Sequence, residues 1–181
     1  MNLANKITMV RLASIPVFVA AYLFLPEENP LAGIIFVLAS MTDFIDGHIA
    51  RSRNMVTTFG KFADPLVDKI LTISAFVLLA ESHRLAGWIV VIIVARELII
   101  TGFRTVAASQ GTTIAASKWG KFKTTFQMVA VAEMLFEENL FPFLLGTPAR
   151  QVLVLLALFF TILSGVDYIV KNKEVLDPQN M

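Results

Sequence analysis

The sequence predicts an all-α integral membrane protein of six transmembrane helices, with both termini in the cytoplasm. Three observations predict it. The chain is 56% hydrophobic and only 16% charged over 181 residues, with a mean hydropathy of +0.72, which is more apolar than soluble domains usually are. A soluble domain of this length has too high a surface-to-volume ratio to hide so much apolar surface. Six segments approach the roughly 20 apolar residues that a helix needs to cross a bilayer. Finally, Lys and Arg gather at alternate ends of those segments. No Pro/Gly/Ser linker or low-complexity tract divides residues 1–181, so one domain is expected.

The first segment, 9–25, is read as a retained helix, because no small-residue cleavage site follows it at the distance a signal peptide requires. Asn2 to Thr8 is too short to be read as a separate interfacial helix. Pro26 and Pro30 break the chain before the second segment, 31–50, and a short connector leads to the third, 62–80. The fourth, 86–107, is followed by Gly111 and the fifth, 120–136, by Pro142, Gly146 and Pro148; the sixth is 150–170. The apolar runs are too long and too continuous for barrel strands.

Charge sets the orientation. Lys6, Arg11, Arg51, Arg53, Lys61, Arg104, Lys118, Lys121, Lys123, Lys171 and Lys173 fall on one side. The other side holds Glu27, Glu28, Glu81, Glu137 and Glu138, with Arg84 and Arg150. The positive-inside rule puts the basic side in the cytoplasm, in agreement with an even number of spans. Trp88 and Trp119 suit interfacial anchors or ordinary packing equally well. A net charge of +1 gives no reason to expect nucleic acid. The absence of Cys removes disulfides, thiolate metal sites and a cysteine nucleophile. His48 and His83 have no second His or Cys at a ligand spacing.

The chemistry concentrates in carboxylates. Asp43 and Asp46 stand at i/i+3 near the end of the second segment, and Asp64 and Asp68 at i/i+4 near the start of the third. Each pair therefore shares a helix face. A short connector makes the two helices antiparallel neighbours, so the pairs can converge at one depth. Four carboxylates there would repel one another, and charge this dense beside a bilayer marks function. Two divalent cations balance four carboxylates, and oxygen-only ligands favour Mg²⁺ or Mn²⁺ over Zn²⁺. Two such ions about 3.5–4 Å apart clamp a phosphoryl displacement. Gly47 and Ala50 leave a bare strip beside the acids on which a flat nucleotide fits; close helix packing is the alternative. Arg51 is either part of that site or a topology-setting charge.

Asp43-x-x-Asp46-Gly47-x-x-Ala50-Arg51, eight residues, Gly60, three, Asp64, three, Asp68 resembles the signature of the CDP-alcohol phosphatidyltransferases at every fixed position, eight of them over 26 residues. The resemblance implies six transmembrane helices, a homodimer, and two metal ions held by Asp43, Asp46, Asp64 and Asp68. It implies a CDP-linked lipid as substrate, CMP as product, and Asp68 as general base as well as ligand. A carboxylate is a weak base at neutral pH, so metal coordination must acidify the attacking hydroxyl. Gly47, Ala50, Arg51 and Gly60, with Asn5 and Thr8, would line the cytidine and pyrophosphate site.

Further stretches resemble the members that use glycerol 3-phosphate as acceptor and CDP-diacylglycerol as donor. These are Asn5-Lys6-Ile7-Thr8-Met9-Val10-Arg11, where Ala4 replaces the usual proline, and Asp64-Pro65-Leu66-Val67-Asp68-Lys69. Ala95-Arg96-Glu97, Arg104 and Ser117-Lys118-Trp119-Gly120-Lys121-Phe122-Lys123-Thr124 complete the likeness. Arg96, Arg104, Ser117, Lys121 and Lys123 are the residues expected to hold an acceptor phosphate, Arg as a planar fork and Lys as a compact charge. The alternative for the lysines is a topology signal, and for Arg96 a buried pair with Glu97. Asp167 is read as snorkelling or as a local partner of Lys171 at i+4. An active site on the cytoplasmic face of the cell membrane would let the lipid tails leave sideways between helices.

Two other readings compete. A relative using inositol phosphate, serine or phosphatidylglycerol would share the aspartates, and a serine user would not need the basic pocket. A divalent-cation transporter would need polar residues along a whole transmembrane route, whereas the acids here crowd one side.

Overall fold

The fold comes from a computed structural model that describes residues 3–26, 29–52, 58–109, 114, 117–136 and 148–173; the side chains of 3–7, 43–52, 58–65, 68 and 149 lie outside that description. Among the described residues the regular elements are six α-helices: α1 Leu3–Phe24, α2 Leu31–Ser52, α3 Thr58–Glu81, α4 Gly87–Ser109, α5 Lys118–Phe136 and α6 Ala149–Lys171. Each apolar segment read from the sequence is one helix. The largest difference is at the start, where α1 begins at Leu3 rather than residue 9. Nothing between Leu3 and Thr8 breaks a helix, so the apolar boundary and the helical boundary are separate things. Pro16 lies within α1, where its ring removes one backbone hydrogen bond without ending the helix.

The ends have local causes. Asn29 Oδ1 accepts the Leu31 N–H at 3.0 Å, a side-chain cap on the first turn of α2. The C-terminus of α3 closes in a Schellman arrangement: Arg84 N–H donates to the Leu79 carbonyl at 3.0 Å and His83 N–H to that of Ala80 at 3.1 Å. His83 takes the left-handed conformation this needs, with φ 59°.

The chain groups into two compact units, Met1–Arg84 with Val131–Leu145, and Leu85–Ala130 with Gly146–Met181. In the first, α1 packs against both α2 and α3, and α2 touches α3. Phe18, Phe36, Leu71, Phe76 and Leu79 fill its interior. Phe18 and Phe36 meet with ring centroids 5.9 Å apart. In the second unit α4 packs against α6. Ile100, Phe103, Ala107 and Tyr168 form its apolar cluster, Phe103 meeting Tyr168 edge-on at 5.8 Å. Trp119 stacks on Phe160 at 6.2 Å, so its indole is a packing element, whereas Trp88 is exposed at the start of α4.

Among the described residues one helical stretch, Arg150–Lys171, is long and apolar enough to cross a membrane; Thr8–Phe24 and Leu31–Thr42 are shorter apolar helices. Outward faces are apolar too: Val91, Leu98 and Ile99 on α4, and Phe159, Val166 and Val170 on α6, are exposed. A helix in water puts charge on that face.

Candidate functional site

The four aspartates fall on the two helices that α1 holds together in the first unit. Asp43 and Asp46 lie in the second half of α2, and Asp64 and Asp68 in the first half of α3. Both segments are helical through these positions, so the i/i+3 and i/i+4 spacings keep each pair on one face. The side chains of Asp43, Asp46, Gly47, Ala50, Arg51, Gly60, Asp64, Asp68 and Asn5 lie outside the described residues. Their donor chemistry still bears on what they fit. The four carboxylates at the motif's fixed positions match a hard divalent cation, and His48 fills a variable position between them. Among the described residues no group of three or more His, Cys, Asp or Glu gathers at one point. Thr8 is described, and it is buried in α1 one turn before the buried Arg11. The Asn5–Arg11 stretch therefore turns at least one polar face inward.

A second polar centre lies inside the other unit, and here every side chain is described. Arg96 on α4 donates from Nη1 to Glu97 Oε1 at 3.2 Å and from Nη2 to Ser164 Oγ on α6 at 2.9 Å. Lys123 on α5 forms an ion pair with the same Glu97 oxygen. All three charged side chains are largely withdrawn from solvent, at 15% exposure for Arg96, 10% for Glu97 and 8% for Lys123. Buried charges persist only when paired, because each loses its hydration. Among the described residues two cations share the one Glu97 carboxylate. Arg96 Nε is buried with no hydrogen-bond partner among the described residues.

The layers beneath are hydrogen-bonded as well. Ser164 Oγ donates to the Thr161 carbonyl at 3.0 Å while accepting from Arg96. Thr161 Oγ1 accepts from Gln127 Nε2 at 2.9 Å and donates to the Ala157 carbonyl at 2.6 Å. Gly165 faces Arg96, and a Cβ there would lie 3.2 Å from Arg96 Cγ.

Of the five residues expected at an acceptor phosphate, the structure brings Arg96 and Lys123 together through Glu97. The remaining three lie about the connection of α4 to α5. Arg104 is exposed and donates to the Ile114 carbonyl at 3.3 Å. Ser117 Oγ accepts the Gly120 N–H at 3.1 Å, capping α5, and Lys121 is exposed one turn on. The pairing of Arg96 with Glu97 is present, but as one half of a bridge to Lys123. Asp167 pairs with Lys171 at 2.6 Å, the i+4 partner expected for it.

Sequence reasoning did not find Ser164, Gly165, Gln127 or Thr161. The signal was slight: Thr161, Ser164 and Gly165 interrupt an otherwise apolar helix, and Gln127 stands one turn after Lys123. Single small polar residues in an apolar helix serve packing as often as chemistry.

The chain is similar to known proteins. A relative from Bacillus subtilis, named CDP-diacylglycerol–glycerol-3-phosphate 3-phosphatidyltransferase, is 39% identical, covering 99% of each chain. One from Haemophilus influenzae with the same name is 36% identical over 93% of this chain and 91% of its own. A Mycobacterium tuberculosis relative, named probable phosphatidylglycerophosphate synthase, is 37% identical over 94% of this chain and 81% of its own. Residues 1–163, a stretch that includes both aspartate pairs and the Arg96–Glu97–Lys123 bridge, match the family described as CDP-alcohol phosphatidyltransferase, and the chain belongs to that family.

Proposed function

We infer that this protein is a transferase of phospholipid biosynthesis that moves the phosphatidyl group of CDP-diacylglycerol to glycerol 3-phosphate, giving phosphatidylglycerol phosphate and CMP. One observation carries this reading: relatives named for that reaction match more than nine-tenths of the chain at 33–39% identity. The positive cluster of Arg96 and Lys123 about Glu97 supports an acceptor that bears a phosphate.

Asp43, Asp46, Asp64 and Asp68 hold two divalent cations, Mg²⁺ or Mn²⁺. Bound there, such ions neutralise charge on the departing phosphate and acidify the acceptor hydroxyl. Asp68 takes the hydroxyl proton. The hydroxyl oxygen forms a bond to the phosphorus of the phosphatidyl group, the pyrophosphate P–O bond breaks, and CMP leaves with that electron pair. Asn5, Thr8, Gly47, Ala50, Arg51 and Gly60 hold the cytidine and pyrophosphate. Arg96, Arg104, Ser117, Lys121 and Lys123 receive the acceptor phosphate and fix its hydroxyl toward the donor, Arg as a fork and Lys as a point charge.

The chain crosses the cell membrane six times, with the active site and both termini at the cytoplasmic side. Support comes from the apolar length of α6, the exposed apolar faces of α4 and α6, and the basic residues at alternate helix ends. Residues 1–181 act as one domain, since the family match runs unbroken through both compact units. The active form is a homodimer, as the family resemblance implies.

The test is a panel of acceptors. Purified protein in detergent with Mg²⁺ and CDP-diacylglycerol should release CMP with glycerol 3-phosphate, and far more slowly with serine, inositol phosphate or phosphatidylglycerol. Preference for another acceptor would overturn the assignment and leave the family intact.

A further inference from the structure

Where α5 begins and α6 ends, the second unit opens into a cleft of about 620 Å³, within the size range of ligand sites. The two helices meet there through rings. Trp119, Phe122 and Phe126 of α5 stack on Phe160 of α6 at centroid distances of 6.2, 5.7 and 4.9 Å. Trp119 and Phe122 line the cleft and are exposed. The polar part of the lining comes from Lys118 at the start of α5 and from Asp167, Tyr168 and Lys171 at the end of α6. Lys171 pairs with Asp167 Oδ1 at 2.6 Å. Tyr168 is only 4% exposed, and its hydroxyl and Asp167 Oδ2 are buried with no hydrogen-bond partner among the described residues. A buried polar atom without a partner costs free energy, and a ligand in the cleft would supply one.

Charge and position indicate the ligand. Two lysines and one carboxylate line the cleft, so an anion is the complementary partner. The cleft lies at the lysine-bearing end of α6, a helix long and apolar enough to cross a membrane, and Val166 and Val170 near that end are exposed. Rings and lysines at the end of a membrane span stand at the level of the lipid headgroups, and basic pockets between helices on the cytoplasmic side take anionic ones. We propose that this cleft binds the headgroup of an anionic phospholipid of the surrounding membrane. Lys118, Lys171 and the Tyr168 hydroxyl hold its phosphate, Asp167 Oδ2 accepts from a headgroup hydroxyl, and the acyl chains lie against Trp119 and Phe122. The site is distinct from the residues expected at the acceptor phosphate. Arg96, Arg104, Lys121 and Lys123 do not line it, and Ser117, which does, already accepts the Gly120 N–H. The inference rests on the membrane reading above and not on the choice of acceptor.

The test reads the fluorescence of Trp119 in full-length Trp88→Phe protein, reconstituted in phosphatidylcholine vesicles that contain a lipid brominated on its acyl chains. Brominated phosphatidylcholine should quench the exposed Trp119 ring, and no quenching by any brominated lipid would sink the membrane reading itself. With quenching established, brominated phosphatidylglycerol should reach the half-maximal effect at a mole fraction about fivefold or more lower, the scale of one to two lysine–headgroup contacts. Lys118→Ala combined with Lys171→Ala should bring the two lipids level, and both lysines are exposed, so the fold is kept. Tyr168→Phe removes the hydroxyl alone and should lower the preference in part. Excess inorganic phosphate should leave the quenching in place; displacement would make the ligand a small soluble anion and overturn the lipid assignment. Equal quenching by the two lipids before any lysine is changed overturns the proposal, as does a preference that survives the lysine substitutions. So does the same preference at Trp88 in Trp119→Phe protein, which would be a general gathering of anionic lipid around the chain.

Discussion

The two compact units carry polar chemistry in opposite ways. In the first, the aspartates sit on two helices that follow one another in the chain, at spacings of three and four residues. The interior of that unit is mainly apolar packing of Phe18, Phe36, Leu71, Phe76 and Leu79, with Thr8, Arg11 and Glu133 also buried. In the second, buried polar groups stand beside the apolar cluster: Glu97, Lys123, Gln127, Thr161 and Ser164 are all buried and joined by hydrogen bonds and ion pairs across α4, α5 and α6. A site built from local spacing leaves a motif in the sequence, whereas a site built across three helices leaves scattered single residues.

The comparison breaks most readily at the aspartates. Asp68→Asn should lower CMP release by about 10³-fold, the scale of a lost general base, while the unfolding temperature stays near that of the wild type. Chelation of divalent ions should give an equal loss that added Mg²⁺ restores. Turnover that survives chelation would remove the metal reading altogether. Phe76→Ala, in the apolar interior of the first unit, should instead cost about 3 kcal/mol or more of stability by detergent-phase unfolding, because Phe76 is only 1% exposed. Acceptor KM in the folded fraction should not move, which separates packing from chemistry.

Smaller effects sharpen the contrast within the second unit. Arg96→Lys keeps the charge but loses the planar fork that reaches Glu97 and Ser164, so the KM for glycerol 3-phosphate should rise by about tenfold. Thr161→Val keeps the shape and leaves the Gln127 amide without its acceptor, at a cost of about 1 kcal/mol in thermal unfolding. Lys171→Ala removes an ion pair whose lysine is 63% exposed, and should change stability by less than about 0.5 kcal/mol. A larger loss there would mean that Asp167 has a role its local pair does not explain.

Taken by themselves, the residues determined the number and order of the helices, because apolar runs of bilayer length bounded by Pro and Gly have few other options. They also determined the reaction class, since Asp43 to Asp68 is a contiguous pattern on helices whose geometry is local. The true start of α1 at Leu3 escaped that reading, because hydropathy reports solvent preference and not helix continuity. Tertiary structure alone decided what Arg96 does. Its partner Ser164 stands 68 residues away, and Lys123 reaches Glu97 only because α4 and α5 bring them together. The physical reason is range. Helices and their faces follow from interactions three or four residues apart, while the pairing of buried charges depends on which helices meet, and that is settled by packing over the whole fold.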